Sequence, residues 1–258
     1  MKTPKQEEKV HCEKCNDTGW IYTPKGVVKC RCKYDIIPEN ILKRMRIPKK
    51  YREKTLNNYI FKKEYGQDKL VKYLKRYVLS NSYKEGKGLL LYGKPGVGKT
   101  HLAVGLLKEF YQKRKITGTF RDTRTLLFDL KFSFTDAGLS NRELLDEVVN
   151  TPILVLDDLG NERLSDWAKD ILHYIIIQRY NEERPIIITS NYPIFPQNEK
   201  DESLAERLGD PIASRLAEMV EPILVNGDDA RKNVKVLEPL KKDYETEEAP
   251  PDILGDLT

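Results

Sequence analysis

Three features of the sequence predict an α/β fold built on a parallel sheet. The runs "GLLLY" (88–92), "ILVLD" (153–157) and "PIIIT" (185–189) are short and almost wholly apolar, as strands buried on both faces are. Longer stretches with helical spacing separate them, so the order reads strand, helix, strand. A glycine-rich loop joins the first run to the helix after it, at the strand end where open α/β sheets place ligands.

The chain begins with a different module. All four cysteines lie in "HCEKCNDTGWIYTPKGVVKCRC", as C-x2-C and C-x-C with fourteen residues between the pairs. Two close pairs set four thiolates at the corners of a tetrahedron, the arrangement a structural zinc ion requires. Cys12, Cys15, Cys30 and Cys32 are therefore the expected Zn2+ ligands in a ribbon-like module over residues 1–35. His11 stands ready as a substitute, and the competing account is four reduced thiols without metal. "GWIYTPKGVV" between the pairs reads as a hairpin turning at Pro24-Lys25-Gly26. So small a module draws its folding energy from the metal.

From Lys33 to Ser80 there are 14 Lys or Arg and 5 Asp or Glu, a basic segment suited to a solvated face or an acidic partner. Prolines at 38 and 48 mark residues 36–51 as a linker. "GQDKLVKYLKRYVLSNSY" carries Leu70, Val71, Leu74, Tyr77 and Val78 on one side, an amphipathic helix with a basic outer face. The main domain is expected over 52–237.

The loop "GKPGVGKT" fits G-x-x-x-x-G-K-[ST] at every position, and a strand precedes it and a helix follows. Gly93, Lys94, Pro95, Gly96, Val97 and Gly98 would wrap a β-phosphate, the backbone N–H groups of all but Pro95 turning toward it and the helix N-terminus adding partial positive charge. Lys99 would bridge β- and γ-phosphate oxygens, and Thr100 would hold Mg2+. "ILVLDDLG" supplies the acid such a site needs: Asp157 ends a strand and orders the magnesium shell, and Asp158 polarises the attacking water. "PIIITSN" is a third strand ending in Thr189, Ser190 and Asn191, polar groups placed to reach a γ-phosphate. "LSDWAKDILHYIIIQRYNEE" is a core helix, and His173 within it is structural. "FRDTRTLLFDL" (120–130), with Arg121 and Arg124, is a candidate contact for a nucleic-acid backbone or an ordinary solvated edge.

Charged residues make up 33% of the chain, no apolar run approaches the ~20 residues of a membrane span, and "MKTPKQEEKV" lacks a signal peptide's apolar centre. A cytoplasmic protein without membrane contact is expected. Residues 238–258 hold 7 acids and 2 lysines, an acidic disordered tail.

"GKPGVGKTHLA", "LVLDDLG", "ILHYIIIQRY", "PIIITSN" and "IASRLAEM" resemble, in order and spacing, the DnaC/DnaI-type helicase loaders and IstB-like transposition ATPases of the AAA+ superfamily. The match covers residues 50 to 236. It implies a five-stranded parallel P-loop core, and the chain's length leaves no room for a C-terminal lid domain. Arg215 matches the arginine finger that reaches a neighbouring subunit's ATP, Asn191 the first sensor, and Arg231 the second sensor. Residues 55–61 match the segment lining the adenine pocket. Asp158 stands where many AAA+ ATPases have Glu, although the resembled family often carries Asp there; the resemblance implies slow hydrolysis, with Glu162 as a substitute base. The cysteine module resembles that of the DnaI branch.

The resemblance implies an ATP/ADP-switched, homo-oligomeric ATPase that delivers a replicative helicase onto single-stranded DNA. The alternatives are an IstB-like transposition helper, which would bind duplex DNA and a transposase, and a nucleotide-dependent adaptor that scarcely hydrolyses. A metabolic P-loop kinase is disfavoured by the arginine and sensor pattern.

Overall fold

The computed structural model describes residues 14–15, 18, 20–24, 26–30, 37–60, 62–133, 139–196, 198 and 201–230. Strands β1 (Trp20–Thr23) and β2 (Gly26–Lys29) form the expected antiparallel hairpin, with Trp20 opposite Lys29 and Tyr22 opposite Val27. Cys15 and Cys30 beside it are buried, although Tyr22, Val27 and Val28 are exposed. Cys12 and Cys32 lie outside the described residues, as do Arg231 and the acidic tail.

The main domain holds β3 (Gly88–Tyr92), β4 (Thr119–Asp122), β5 (Leu154–Asp157), β6 (Ile186–Ser190) and β7 (Val220–Leu224) in one sheet of order β4-β5-β6-β3-β7. Every pairing in it is parallel. The expected five-stranded sheet is therefore present. Side chains alternate between two cores. Leu89, Leu91, Val155 and Ile187 face one, shared with α2 (Gln67–Leu79) and α3 (Lys99–Arg114). Leu90, Leu154, Leu156, Ile186 and Ile188 face the other, shared with α4 (Thr123–Ser133), α5 (Leu139–Asn150), α6 (Asp166–Asn181), α7 (Leu204–Leu208) and α8 (Asp210–Met219). Helices on both faces explain why the strands read as unbroken apolar runs. Pro222 sits in β7 because that strand is at the sheet edge, where a missing N–H is tolerated.

The stretch read as a linker belongs to the domain. Helix α1 (Glu39–Arg44) and the residues flanking it bury Ile37, Leu42, Met45 and Ile47 in the first core. The N–H of Phe120 donates to the carbonyl of Met45 at 2.9 Å, which covers the free edge of β4. Arg46 makes two hydrogen bonds of 2.7 Å to Glu147, and Arg121 adds a third of 2.9 Å. Burial works against the Glu147 carboxylate, but the hydrogen bonds and charges of Arg46 and Arg121 outweigh it and hold its pKa below the usual range. Prolines punctuate this segment without removing it from the core.

Because all five strands run the same way, their carboxyl ends share one edge of the sheet. The residues after β3, β4, β5 and β6 therefore converge there. Among the described residues no helix is long and apolar enough to cross a membrane.

Candidate nucleotide-binding site

The loop after β3 has the backbone that its glycines foretell. Gly93, Gly96 and Gly98 all adopt positive φ, of 143°, 82° and 95°. A side chain at Gly98 would be strained and would also meet the ring of Tyr59 at 2.7 Å. The hydroxyl of Tyr59 donates to the carbonyl of Val97 at 2.7 Å. His101 Nε2 lies 2.8 Å from the carbonyl of Thr55. Segment 55–59 is thus packed against the phosphate loop and the first turn of α3, while Phe61 lies outside the described residues.

Lys99 opens α3 and is buried. Its ammonium donates to the carbonyls of Gly93 (2.8 Å) and Lys94 (3.0 Å) and to Oδ1 of Asn191 (2.8 Å). One cation is therefore aimed across the mouth of the loop. It lies at a helix N-terminus, which also favours an anion. The loop, Asp158, Asn161 and Asn191 enclose a cavity of about 220 Å³. A second cavity of about 770 Å³ lies beside the loop, lined in part by Tyr65, Lys94, Val97, Asn191 and Asp228. The cradle and its buried cation fit the phosphates of a nucleotide.

The metal side is built at the ends of β4, β5 and β6. Asp157 accepts from Thr189 Oγ1 (2.6 Å) and from Thr100 Oγ1 (3.2 Å). Burial raises its pKa to about 6; the Thr189 hydrogen bond opposes this and the charge of Asp158 adds to it. A divalent cation at that carboxylate would offset what burial costs it. Asp158 has a left-handed backbone, φ 57°, and its N–H donates to Thr189 Oγ1 at 2.9 Å. Oxygen atoms of Asp122, Asp157 and Asp158 lie within 4.8 Å of one another, a donor set that suits Mg2+. Asp122 was not foreseen from sequence. It pairs in register with Asp157, and its carboxylate also accepts from the N–H of Thr125 at 2.8 Å, capping α4.

The polar residues after β6 divide their work. Thr189 orients Asp157, Ser190 donates to the carbonyl of Leu159 at 2.7 Å, and Asn191 joins Lys99 to Asn161 through a 2.5 Å bond from its Nδ2. Glu162 is directed elsewhere. It pairs with Arg124 at 2.8 Å and lines a separate cavity of about 310 Å³ along α4. Arg124 is 78% exposed, whereas Arg121 is buried against Glu147 and Asp129 and is not available to an outside ligand.

Arg215 lies far from this cluster. Helix α8 runs into the start of β7, so Arg215 sits near the amino edge of the sheet, where it pairs with Glu218 at 3.0 Å and lies 4.9 Å from the ring centre of Tyr180. A five-residue strand is about 16 Å long, so the finger candidate and its own phosphate loop occupy opposite edges.

The IstB-like ATP-binding protein model matches residues 39–237. The replicative helicase loader DnaI of Bacillus subtilis is 31% identical over 169 residues, 62% of this chain and 51% of that protein. The loader DnaC of Escherichia coli K12 is 29% identical over 126 residues, 48% of this chain and 47% of that one. The chain thus matches about half the length of these curated relatives. A crystal structure of the DnaC helicase loader superposes with a TM-score of 0.61 at 40% identity, covering 69% of this chain and all of that one. The phosphate loop and the sheet around it lie within the residues that the family model matches, and the chain belongs to the family of IstB-like ATP-binding proteins, related to the DnaC and DnaI helicase loaders of the AAA+ group.

Proposed function

We propose that the chain is an ATP-dependent loader that delivers a replicative helicase onto single-stranded DNA in the cytoplasm. The observation that carries this reading is a phosphate and acid cluster at one sheet edge with a half-exposed arginine, Arg215, at the other. Copies stacked edge to edge would bring the arginine of one to the ATP of the next, and the similarity to DnaI and DnaC supplies the partner. Mg2+ would be held by Thr100 and Asp157, with Asp158 toward the attacking water and Asn191 toward the γ-phosphate. Arg231 would act as the second sensor of the same subunit. With Asp at 158, hydrolysis is slow and serves as a switch. Glu162, turned toward Arg124, is the weaker candidate base. The groove along α4, with Arg124, Phe128 and Lys131 on one wall and Trp167 on the other, is the track we assign to single-stranded DNA, cations for the backbone and aromatic faces for bases.

The deciding experiment is reconstituted loading. The purified chain, ATP and the replicative helicase of the same cell should make unwinding of a single-strand-coated template depend on this chain. If the helicase neither binds nor needs it, the loader reading fails. The IstB-like match favours a second reading, a transposition helper; capture of a transposase and preference for duplex over single-stranded DNA would select it.

The burial of Cys15 and Cys30 beside an otherwise exposed hairpin supports the zinc reading, with Cys12 and Cys32 as the other two ligands. Elemental analysis should find about one zinc per chain, as a closed four-ligand site holds. A folded, reduced, metal-free preparation would refute it. The hairpin and the basic segment behind it would meet the helicase.

A further inference from the structure

The turn after β5 has two working faces. Its start is pinned: the N–H of Leu159 donates to the Thr189 carbonyl at 2.9 Å, and Arg207 donates to the carbonyl of Gly160 at 3.0 Å. Its tip, Asn161 to Arg163, is exposed. Asp158 and Asn161 line both the phosphate cavity and the groove along α4, so this turn is the wall between them. On the phosphate side, Asn161 Oδ1 accepts from Asn191 Nδ2, the donor that a γ-phosphate would call on. On the groove side, the next residue, Glu162, holds Arg124.

We propose that Asn161 and Glu162 form a two-sided latch through which a phosphodiester strand in the α4 groove acts on the nucleotide pocket. With the groove empty, the Arg124–Glu162 pair holds the tip in place, and Asn161 keeps the amide of Asn191 engaged. A backbone phosphate competes with Glu162 for the Arg124 guanidinium, since a planar fork bonds either anion well. Once Glu162 is released, the tip keeps its main-chain anchors, the 3.4 Å bond from the Asn161 N–H to the Asp158 carbonyl and the packing of Leu164, but loses its side-chain tie to α4, and the Asn161 side chain can withdraw from Asn191. The sensor amide is then free to donate to nucleotide. Both latch residues are positioning residues: they act through Asn191 and Arg124. This inference rests on the reading of the groove as the single-strand track.

The test uses the full chain, a labelled oligothymidylate, and two variants at exposed positions, Glu162→Gln and Asn161→Ala. Oligonucleotide binding, ATP turnover and affinity for a fluorescent non-hydrolysable ATP analogue are measured, the last two with and without oligonucleotide. In the parent, oligonucleotide should raise turnover or analogue affinity. In both variants the value without DNA should already be about two- to five-fold above the parent, the range an exposed ion pair or single hydrogen bond converts to. Addition of DNA should then change it little. Glu162→Gln should bind oligonucleotide at least as tightly as the parent, because a competing carboxylate is gone. Lower turnover of Glu162→Gln under every condition would make Glu162 a base and overturn the latch. Variants that bind oligonucleotide and retain the parent's response to it would overturn the latch and leave the single-strand reading standing. A parent that binds no oligonucleotide would overturn both.

Discussion

Replacing Arg179 with methionine is expected to lower the stability of the main domain by about 3–5 kcal/mol, although the residue is on no ligand surface. Arg179 is fully buried in α6, and its guanidinium donates to four main-chain carbonyls: Val148 (2.9 Å), Val149 (3.1 Å), Thr151 (2.9 Å) and Pro185 (2.6 Å). The first two are acceptors in the last turn of α5, which has no intrahelical partners for them. The other two lie where the chain enters β5 and β6. A single planar cation thus joins a helix end to the starts of two central strands. Methionine keeps much of the volume but leaves the Val148 and Thr151 carbonyls without a donor in a buried site, while Val149 keeps the Arg184 guanidinium at 3.0 Å and Pro185 keeps the long N–H contact of Leu154 at 3.5 Å. Arg179→Lys restores the charge but not the fork, so it should recover only part of the loss. Urea melts of the three proteins would decide it; parent-like stability of Arg179→Met would show that the carbonyls find other donors.

The strands and the phosphate loop were legible because their physics is local. An apolar run of five residues, a glycine needed for positive φ, and a lysine at a helix N-terminus each carry their reason within a few positions, and Gly96, Lys99 and Asp157 stand where that reasoning puts them. What the sequence hid depends on contacts across long separations. Asp122 joins the acid cluster only because β4 lies beside β5 in register. Residues 37–47 read as a linker because prolines interrupt their periodicity, yet Met45 and Ile47 fill the core beside the β4 edge. Arg121 looked like a surface cation, and only the fold shows Glu147 in front of it. Arg179 sits three and four residues before Glu182 and Glu183, which in sequence suggests a surface ion pair, yet its guanidinium bonds only buried main-chain carbonyls brought in from α5 and from the starts of β5 and β6. Glu162 illustrates the converse: it is close to Asp158 in sequence, but the turn directs it into the neighbouring groove.

Arg215→Ala is expected to leave ATP affinity of the single chain nearly unchanged and to remove most of its ATPase activity, since a finger acting in trans contributes about 10³–10⁵ in rate. The argument is geometric. Arg215 lies at the amino edge of the sheet and is half-exposed beside Glu218 and Tyr180, whereas Lys99 and Asp157 lie at the carboxyl edge. No side chain spans that distance within one copy. Lys99→Ala should fail differently: it removes the buried cation at the loop and therefore nucleotide binding itself. Each variant alone is then nearly inactive for a separate reason. When the two are mixed, some interfaces pair the intact loop of Arg215→Ala with the intact arginine of Lys99→Ala, and activity should return. The recovery should grow with total protein concentration, because it requires contact between copies. Turnover by Arg215→Ala equal to the parent's at saturating protein and single-stranded DNA would make Arg215 an ordinary surface residue. Loss without recovery on mixing would place its effect within one chain, and a stacked oligomer would no longer be needed to explain the activity.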